Sequence, residues 1–166
     1  MQHRVLKWAF LGSVCAFATC AMAASGSGHR TWVDAWAASP DPAGPALDAQ
    51  TVRQVVRASI GGSAVRVRLS NLFGNAAVTL GPVRMALSAG GGDTVPGSDH
   101  TLLFDGKPTV TIAQGASVLS DPVKMDVRAL QSLAVSIYAP AAAQYHASTI
   151  HSAGFATAYI PEIGDA

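Results

Sequence analysis

The chain has 166 residues, with 11 basic and 10 acidic side chains and a formal net charge of +1 at neutral pH. Near-neutrality argues against a general electrostatic attraction to nucleic acid or to an anionic membrane, so we expect neither partner. The length corresponds to one domain that can bury a substantial core.

The N-terminal residues 1–23 are typical of a secretory signal peptide. Arg4 and Lys7 form a short basic segment, an apolar stretch follows, and the residues before position 24 read Ala-Met-Ala, a small-residue pattern at which signal peptidase cleaves. The apolar stretch is too short to span a bilayer comfortably. We therefore predict cleavage after Ala23, a secreted or periplasmic mature protein, and no stable membrane span after cleavage.

Cleavage would change the chemistry of the chain. Both cysteines, Cys15 and Cys20, lie in the removed segment, so the mature chain would have no disulfide and no thiolate metal site. The loss of Arg4 and Lys7 from the 11 basic residues would leave nine against 10 acidic ones. The mature chain has one glutamate, Glu162, and many Val, Thr, Gly and Ser residues, a composition that disfavours helices.

After a small polar linker at 24–30, apolar residues recur at every second position through a predicted domain at 31–160. This period indicates strands with one buried and one solvated face, and Gly-, Pro- and Asp-rich turn signals separate them. We predict an all-β fold, an antiparallel β-sandwich of jelly-roll type with about eight or nine strands. The predicted strands are Thr31–Ala37, Thr51–Ile60, Ala64–Asn71, Val78–Leu87, Thr101–Phe104, Thr109–Ile112, Pro122–Val127, Ser132–Ala139 and Phe155–Ile160.

One hairpin is predicted in detail, with Gly61-Gly62 as its two-residue turn. In this register Val56 faces Val67 and Gln54 faces Leu69, and a slip by one residue would bury arginines. The opposite face then collects four arginines, with two of them directly across from each other, so we expect acidic groups over them. The four are Arg53, Arg57, Arg66 and Arg68, and the facing pair is Arg57 and Arg66.

Three interpretations of this predicted arginine face remain open. It is a solvated surface paired with acids on neighbouring strands, a docking face for a second domain, or a binding site for an anionic polysaccharide. An Arg57→Ala change that left stability and partner affinity unaltered would favour the first.

Trp32 and Trp36 are four residues apart and would share one face of a strand. On an exposed face they could stack on sugar rings, whereas buried they would belong to the core. The apolar segment around them favours the core.

The sequence contains no complete catalytic motif. The G-x-S-x-G, H-E-x-x-H, Walker and dinucleotide-binding patterns are absent, and we expect no catalytic residue and no cofactor. His29, His100, His146 and His151 have no cysteine or carboxylate at metal-ligand spacing, so we expect no metal site. The segment Gly97-Ser98-Asp99-His100 contains the residue types of a hydrolytic triad, but we interpret it as a polar loop.

Several linked blocks resemble the N-terminal β-sandwich region of secreted bacterial SGNH/GDSL hydrolases. They begin with Trp32-Val33-Asp34-Ala35-Trp36-Ala37-Ala38-Ser39-Pro40 and the segment 51–62, and the most distinctive is Val65-Arg66-Val67-Arg68-Leu69-Ser70-Asn71-Leu72-Phe73-Gly74. The similarity continues through Leu103-Phe104-Asp105-Gly106, Val110-Thr111-Ile112, Gly115-Ala116, Ser120-Asp121-Pro122-Val123 and Leu133-Ala134-Val135-Ser136-Ile137-Tyr138.

The resemblance implies a β-sandwich ahead of an α/β domain that hydrolyses esters. In that family a Gly-Asp-Ser block supplies the nucleophile, Gly and Asn supply oxyanion donors, and an Asp-x-x-His pair supplies the base. None of these blocks is in the chain, and we interpret Asn71 as a turn residue and 161–166 as the start of a linker to a missing catalytic domain. We therefore expect a non-catalytic portion of a truncated ester hydrolase, with that domain as partner. The alternative is a stand-alone module that binds carbohydrate or cell-wall polymer.

Overall fold

The computed structural model describes residues 31–44, 49–140, 148–151, 154 and 156–160. The predicted signal peptide 1–23, the linker 24–30 and the terminal segment 161–166 lie outside the described residues. The chain divides into two compact units, Met1–Trp32 and Val33–Ala166. The fold described below is that of the second unit.

The described part of the chain is all-β: it contains fourteen strands and no helix. Accordingly, it holds no helix with the length and hydropathy needed to cross a membrane. The strands are β1 (Asp41–Gly44), β2 (Gln50–Arg57), β3 (Gly62–Val65), β4 (Arg68–Ser70), β5 (Val78–Leu80), β6 (Val83–Gly90), β7 (Asp93–Thr94), β8 (His100–Leu102), β9 (Val110–Ile112), β10 (Ser117–Leu119), β11 (Val123–Val127), β12 (Ser132–Ala139), β13 (Ser148–Ile150) and β14 (Thr157–Tyr159).

One layer is a six-stranded sheet in the order β14-β2-β12-β6-β7, and β8 also pairs with β6. All of its pairings are antiparallel, and β12 is the central strand. Leu133 faces Val56 on β2 and Leu87 on β6, and Val135 faces Gln54 and Met85 in the same way. Side chains directly opposite each other point to the same face, so this alternate set forms the inner face of the sheet.

Short strand pairs on the far side of the core form the second layer. They are β3 with β11, β4 with β10 and β5 with β9. The first two pairs run into each other at Ser120, which is fully buried: its N–H donates to Val67 O at 2.8 Å and its Oγ accepts from Val67 N at 3.0 Å. The registers of β3–β11 and β4–β10 differ by one residue, and Ser120 forms the hydrogen bonds at the point where the register changes.

The core lies between the layers. The six-stranded sheet contributes Val83, Met85, Leu102, Leu133 and Val135, and the second layer contributes Leu69, Ile112, Met125 and Val127. Each of the larger aliphatic side chains stabilises the fold by about 1.5–3 kcal/mol through burial. The structure therefore confirms the predicted antiparallel all-β sandwich.

The structure has more and shorter strands than predicted. Residues 31–40 contain no strand, so the predicted strand Thr31–Ala37 is wrong. The predicted strand Ala64–Asn71 is split into β3 and β4, and Val78–Leu87 is split into β5 and β6 around Gly81-Pro82. Proline has no N–H group to donate to a ladder, which explains the second break.

The predicted hairpin at Gly61-Gly62 is wrong. β2 pairs with β12 and β14, whereas β3 pairs with β11 and β4 with β10. The chain passes from one layer to the other at this dipeptide, where a Cβ on Gly61 would lie 2.7 Å from Val127 O. Glycine is required here by the close approach of two backbones rather than by a tight turn. The inward face was predicted correctly, because Val56, Val67 and Leu69 all contact the core.

Candidate functional site

The outer face of the six-stranded sheet carries polar side chains in register across three strands. Arg53 faces Ser136 on β12 and Tyr159 on β14, and Arg57 faces Ser132. Thr157 faces Val55, which lies between the two arginines on β2. This is the face of β2 that does not contact the core cluster.

The turn between β6 and β7 lies over part of this outer face. Arg53 Nε donates to Ser136 Oγ at 2.8 Å, and Arg53 Nη1 donates to Gly92 O at 2.7 Å. The ring of Tyr159 packs against the same glycine, since a Cβ on Gly92 would lie 3.2 Å from Tyr159 Cγ. Two side chains of the sheet therefore hold this turn in place.

A cleft of about 470 Å³ opens beside this turn. Its walls include the aromatic residues Trp36 and Tyr159, the hydroxyl residues Ser132 and Thr157, and Arg57. Ser88, Gly90 and Gly91 border it on the β6 side. The volume falls within the range of about 300–1,000 Å³ that is usual for small-molecule sites.

The cleft has one charged group among its described lining residues, the guanidinium of Arg57. Its Nε donates to Leu130 O at 3.0 Å, while its Nη groups have no partner in the described structure. Leu130 itself has a left-handed backbone, with φ of 63°, and its N–H donates to Ala58 O at 2.7 Å. The Nε bond orients the guanidinium, and among the described residues neither terminal nitrogen is engaged.

The four predicted arginines do not form one face, because the hairpin that would have aligned them is absent. Arg53 and Arg57 lie on β2 in the six-stranded sheet, Arg68 lies on β4, and Arg66 lies between β3 and β4 in the second layer. Arg57 faces Ser132 instead of Arg66. Arg66 Nε donates to the backbone carbonyl oxygen of Ser120 at 2.8 Å.

The two predicted tryptophans do not share a strand face, and neither belongs to the buried core cluster. The prediction that they are core residues is therefore wrong. Trp32 is 44% exposed, whereas Trp36 is half-buried and packs edge-on against His151, with the ring centroids 6.0 Å apart. Trp36 alone of the two lines the cleft.

The segment 97–100 is a polar loop leading into β8, as predicted. Ser98 Oγ donates to Val95 O at 2.7 Å and accepts from Leu87 N at 3.0 Å. Asp99 forms an ion pair with Arg84, and His100 lies on β8 opposite Met85. The serine and the aspartate thus hold local structure together instead of approaching the histidine as a triad.

The remaining histidines give no metal site within the part of the chain that is described. His151 Nδ1 lies 3.1 Å from Ser39 O, and no group of three or more His, Cys, Asp or Glu side chains converges there. His29 and His146 lie outside the described residues.

Asn71 is a buried turn residue, as predicted. Its Nδ2 donates to the carbonyl oxygens of Ala76, Ile112 and Ala113 at 2.8–3.2 Å. A Cβ on Gly74 would overlap Asn71 Oδ1, which explains the glycine at that position. The amide nitrogen of Asn71 therefore joins two loops.

Large apolar side chains are exposed on three adjacent segments at one end of the sandwich. Val33, Ile60 and Leu130 are 58%, 48% and 60% exposed. Backbone hydrogen bonds join these segments, because Ser59 N donates to Ala35 O and Leu130 N donates to Ala58 O. We call Val33, Ile60 and Leu130 the apolar end.

Sequence reasoning missed Ser132, Thr157 and Tyr159 as cleft residues. Their position depends on the pairing of β2 with both β12 and β14, which joins segments far apart in the sequence. The alternation in Ser132–Ala139 did identify Ser132 as outward-facing, which was the available signal.

Comparisons of the chain with models of protein families and with curated proteins found no match. The resemblance to SGNH/GDSL hydrolases therefore stays a prediction.

Proposed function

We propose that this sandwich is the non-catalytic accessory domain of a secreted SGNH/GDSL-type ester hydrolase, and that it packs against the catalytic domain of that enzyme. The sequence blocks that carry the resemblance run from Trp32 to Tyr138 and so include most of the sandwich. The all-β antiparallel fold is the architecture that the resemblance implies.

The apolar end is the observation that carries this proposal. Monomeric domains expose scattered apolar side chains, but several on adjacent segments mark a contact surface. Leu130 is the most exposed of the three and lies on a left-handed backbone that disfavours a leucine. A docked catalytic domain would bury the Leu130 side chain, and this burial would offset the free-energy cost of its exposure and of its backbone conformation.

The hydroxyl of Ser98 and the carboxylate of Asp99 support a non-catalytic role, since the first bonds its own loop and the second pairs with Arg84. We expect the purified protein to hydrolyse p-nitrophenyl acetate no faster than a heat-denatured control. Turnover that a single serine-to-alanine change abolishes would overturn the proposal.

The coding sequence that adjoins this domain provides the second test. We expect it to encode a Gly-Asp-Ser block within a few tens of codons of the sandwich, in the same or a shifted frame. The absence of such a block there would contradict the proposal.

The encoded catalytic domain, produced separately, would then be titrated with the sandwich by calorimetry. Leu130→Asn should weaken the association at least tenfold, because it replaces an exposed apolar contact by a polar group. Leu119→Asn, at an exposed leucine of β10 outside the apolar end, is the matched control and should leave the affinity unchanged. Equal affinities for wild type and Leu130→Asn would show that the apolar end is not the contact.

A further inference from the structure

The cleft on the outer face of the six-stranded sheet combines two aromatic rings, several hydroxyl groups and one cation. We propose that it binds a uronate, an acidic sugar residue of a polysaccharide, with Arg57 contacting the sugar carboxylate. This inference is independent of the proposed accessory role, since the apolar end and the cleft use different side chains.

The charge of the cleft selects an anion. Arg57 is the sole charged residue among the described lining residues, and its Nε is occupied by Leu130 O. The two terminal nitrogens remain as a pair of parallel donors, which matches the two oxygens of a carboxylate. Because the Nε bond already orients the guanidinium, less rotational freedom is lost on binding.

The remaining walls select a sugar over a small inorganic anion. Trp36 and Tyr159 offer apolar ring surface, whereas the hydroxyls of Ser132 and Thr157 have no partner within the described structure and are able to bond the hydroxyls of a ligand. A sugar ring presents both an apolar C–H face and hydroxyl groups, and an inorganic anion would leave the aromatic walls unused.

The cleft is built on paired strands of the six-stranded sheet. Arg57 and Ser132 face each other on paired strands, and Thr157 and Tyr159 lie on the next strand outward. Arg53 and Tyr159 hold the β6–β7 turn that borders the cleft. A site built on paired strands keeps its donors at constant spacing, which favours selective binding.

The test is a calorimetric titration of the full chain with trimers of galacturonate, glucuronate and mannuronate, and with the methyl ester of whichever trimer binds. We expect at least one acidic trimer to bind, its methyl ester to bind at least tenfold more weakly, and added salt to weaken the acidic trimer only. Failure of all three acidic trimers to bind at millimolar concentration would overturn the proposal. So would equal binding of a trimer and its ester.

Variants locate the site. Arg57→Gln should lower the affinity for the acidic trimer at least tenfold and change that for the ester little, because the lost contact is the one to the carboxylate. Thr157→Val should lower the affinity for both ligands several-fold. Arg68→Gln, at an exposed arginine of β4, is the matched control and should change neither. Unchanged binding in Arg57→Gln would overturn the proposal, and if that variant fails to fold, the ester comparison on the wild-type chain still decides.

Discussion

Arg53 joins the centre of the six-stranded sheet to the β6–β7 turn: its Nη1 donates a 2.7 Å hydrogen bond to the carbonyl oxygen of Gly92. The Nε of the same side chain bonds Ser136 on the neighbouring strand. Tyr159, directly opposite Arg53, packs its ring against the same glycine. The wall of the cleft therefore depends on side chains from β2 and β14, which approach each other only in the folded sheet.

Replacing Arg53 by Gln should loosen this turn. The hydrogen bonds of the guanidinium to Ser136 and Gly92 are both partly buried, so we expect the free energy of unfolding to fall by about 1–2 kcal/mol in urea titrations. Hydrogen exchange at the amides of residues 90–92 should accelerate more than exchange in β12. Arg68→Gln should stay within about 0.5 kcal/mol of wild type. Similar stability of the two variants would show that the hydrogen bonds of Arg53 do not hold the β6–β7 turn.

Asn71 should be among the most sensitive polar positions. Asn71→Ala removes the donor from three backbone carbonyls in a buried site, and we expect a loss of about 2–3 kcal/mol in the free energy of unfolding. Asn75→Ala, an exposed change in the neighbouring turn, is the control and should cost little. If both asparagine variants unfold at the wild-type midpoint, the amide does not hold the two loops.

Ser120 links the two strand pairs of the second layer. Ser120→Ala should lower the free energy of unfolding by about 1–2 kcal/mol, because the partly buried N–H of Val67 would lose its acceptor. Ser117→Ala, at an exposed serine of β10, should have an effect below about 0.5 kcal/mol. Thermal unfolding of wild type and both variants checks this. Equal midpoints for wild type and Ser120→Ala would contradict the prediction.

The inward faces of the strands could be predicted from the sequence because alternation is a local property. Val56, Val67 and Leu69 were all predicted to point inward, and all of them contact the core. A two-residue period identifies the buried face of a strand but not its neighbour. The Gly61-Gly62 dipeptide fits a tight turn and a close crossing equally well, and for this reason the hairpin prediction failed.

The cleft could not be predicted from the sequence either, because alternation does not show which strands are neighbours. Arg57 and Trp36 were singled out for their residue types, yet their companions are set by pairing across long sequence separations. Thr157 and Tyr159 reach the site because β14 adds to the free edge of β2. The four arginines are distributed over both layers, so they do not face one another as the predicted hairpin required.

The export prediction is tested by mass. Residues 1–23 have the basic, apolar and small-residue segments of a signal peptide, so expression in a secreting host should yield a product that begins at Ala24. The intact mass of the product should equal that of residues 24–166. Because Cys15 and Cys20 would both be removed, the product should not react with thiol reagents. A secreted product that retains Met1 would contradict the prediction.

Leu130 should be a site where a polar substitution stabilises the isolated domain. Its φ of 63° lies in the left-handed region, which asparagine adopts more readily than leucine does, and its side chain is 60% exposed, so little burial is lost. The backbone bonds to Ala58 and Arg57 remain in Leu130→Asn, and we expect the free energy of unfolding to rise by up to about 1 kcal/mol. Leu119→Asn makes the same chemical change on a strand, where asparagine is disfavoured, and should not raise stability. A drop of more than about 1 kcal/mol in Leu130→Asn would mean that the leucine side chain is packed in the isolated domain, contrary to its exposure.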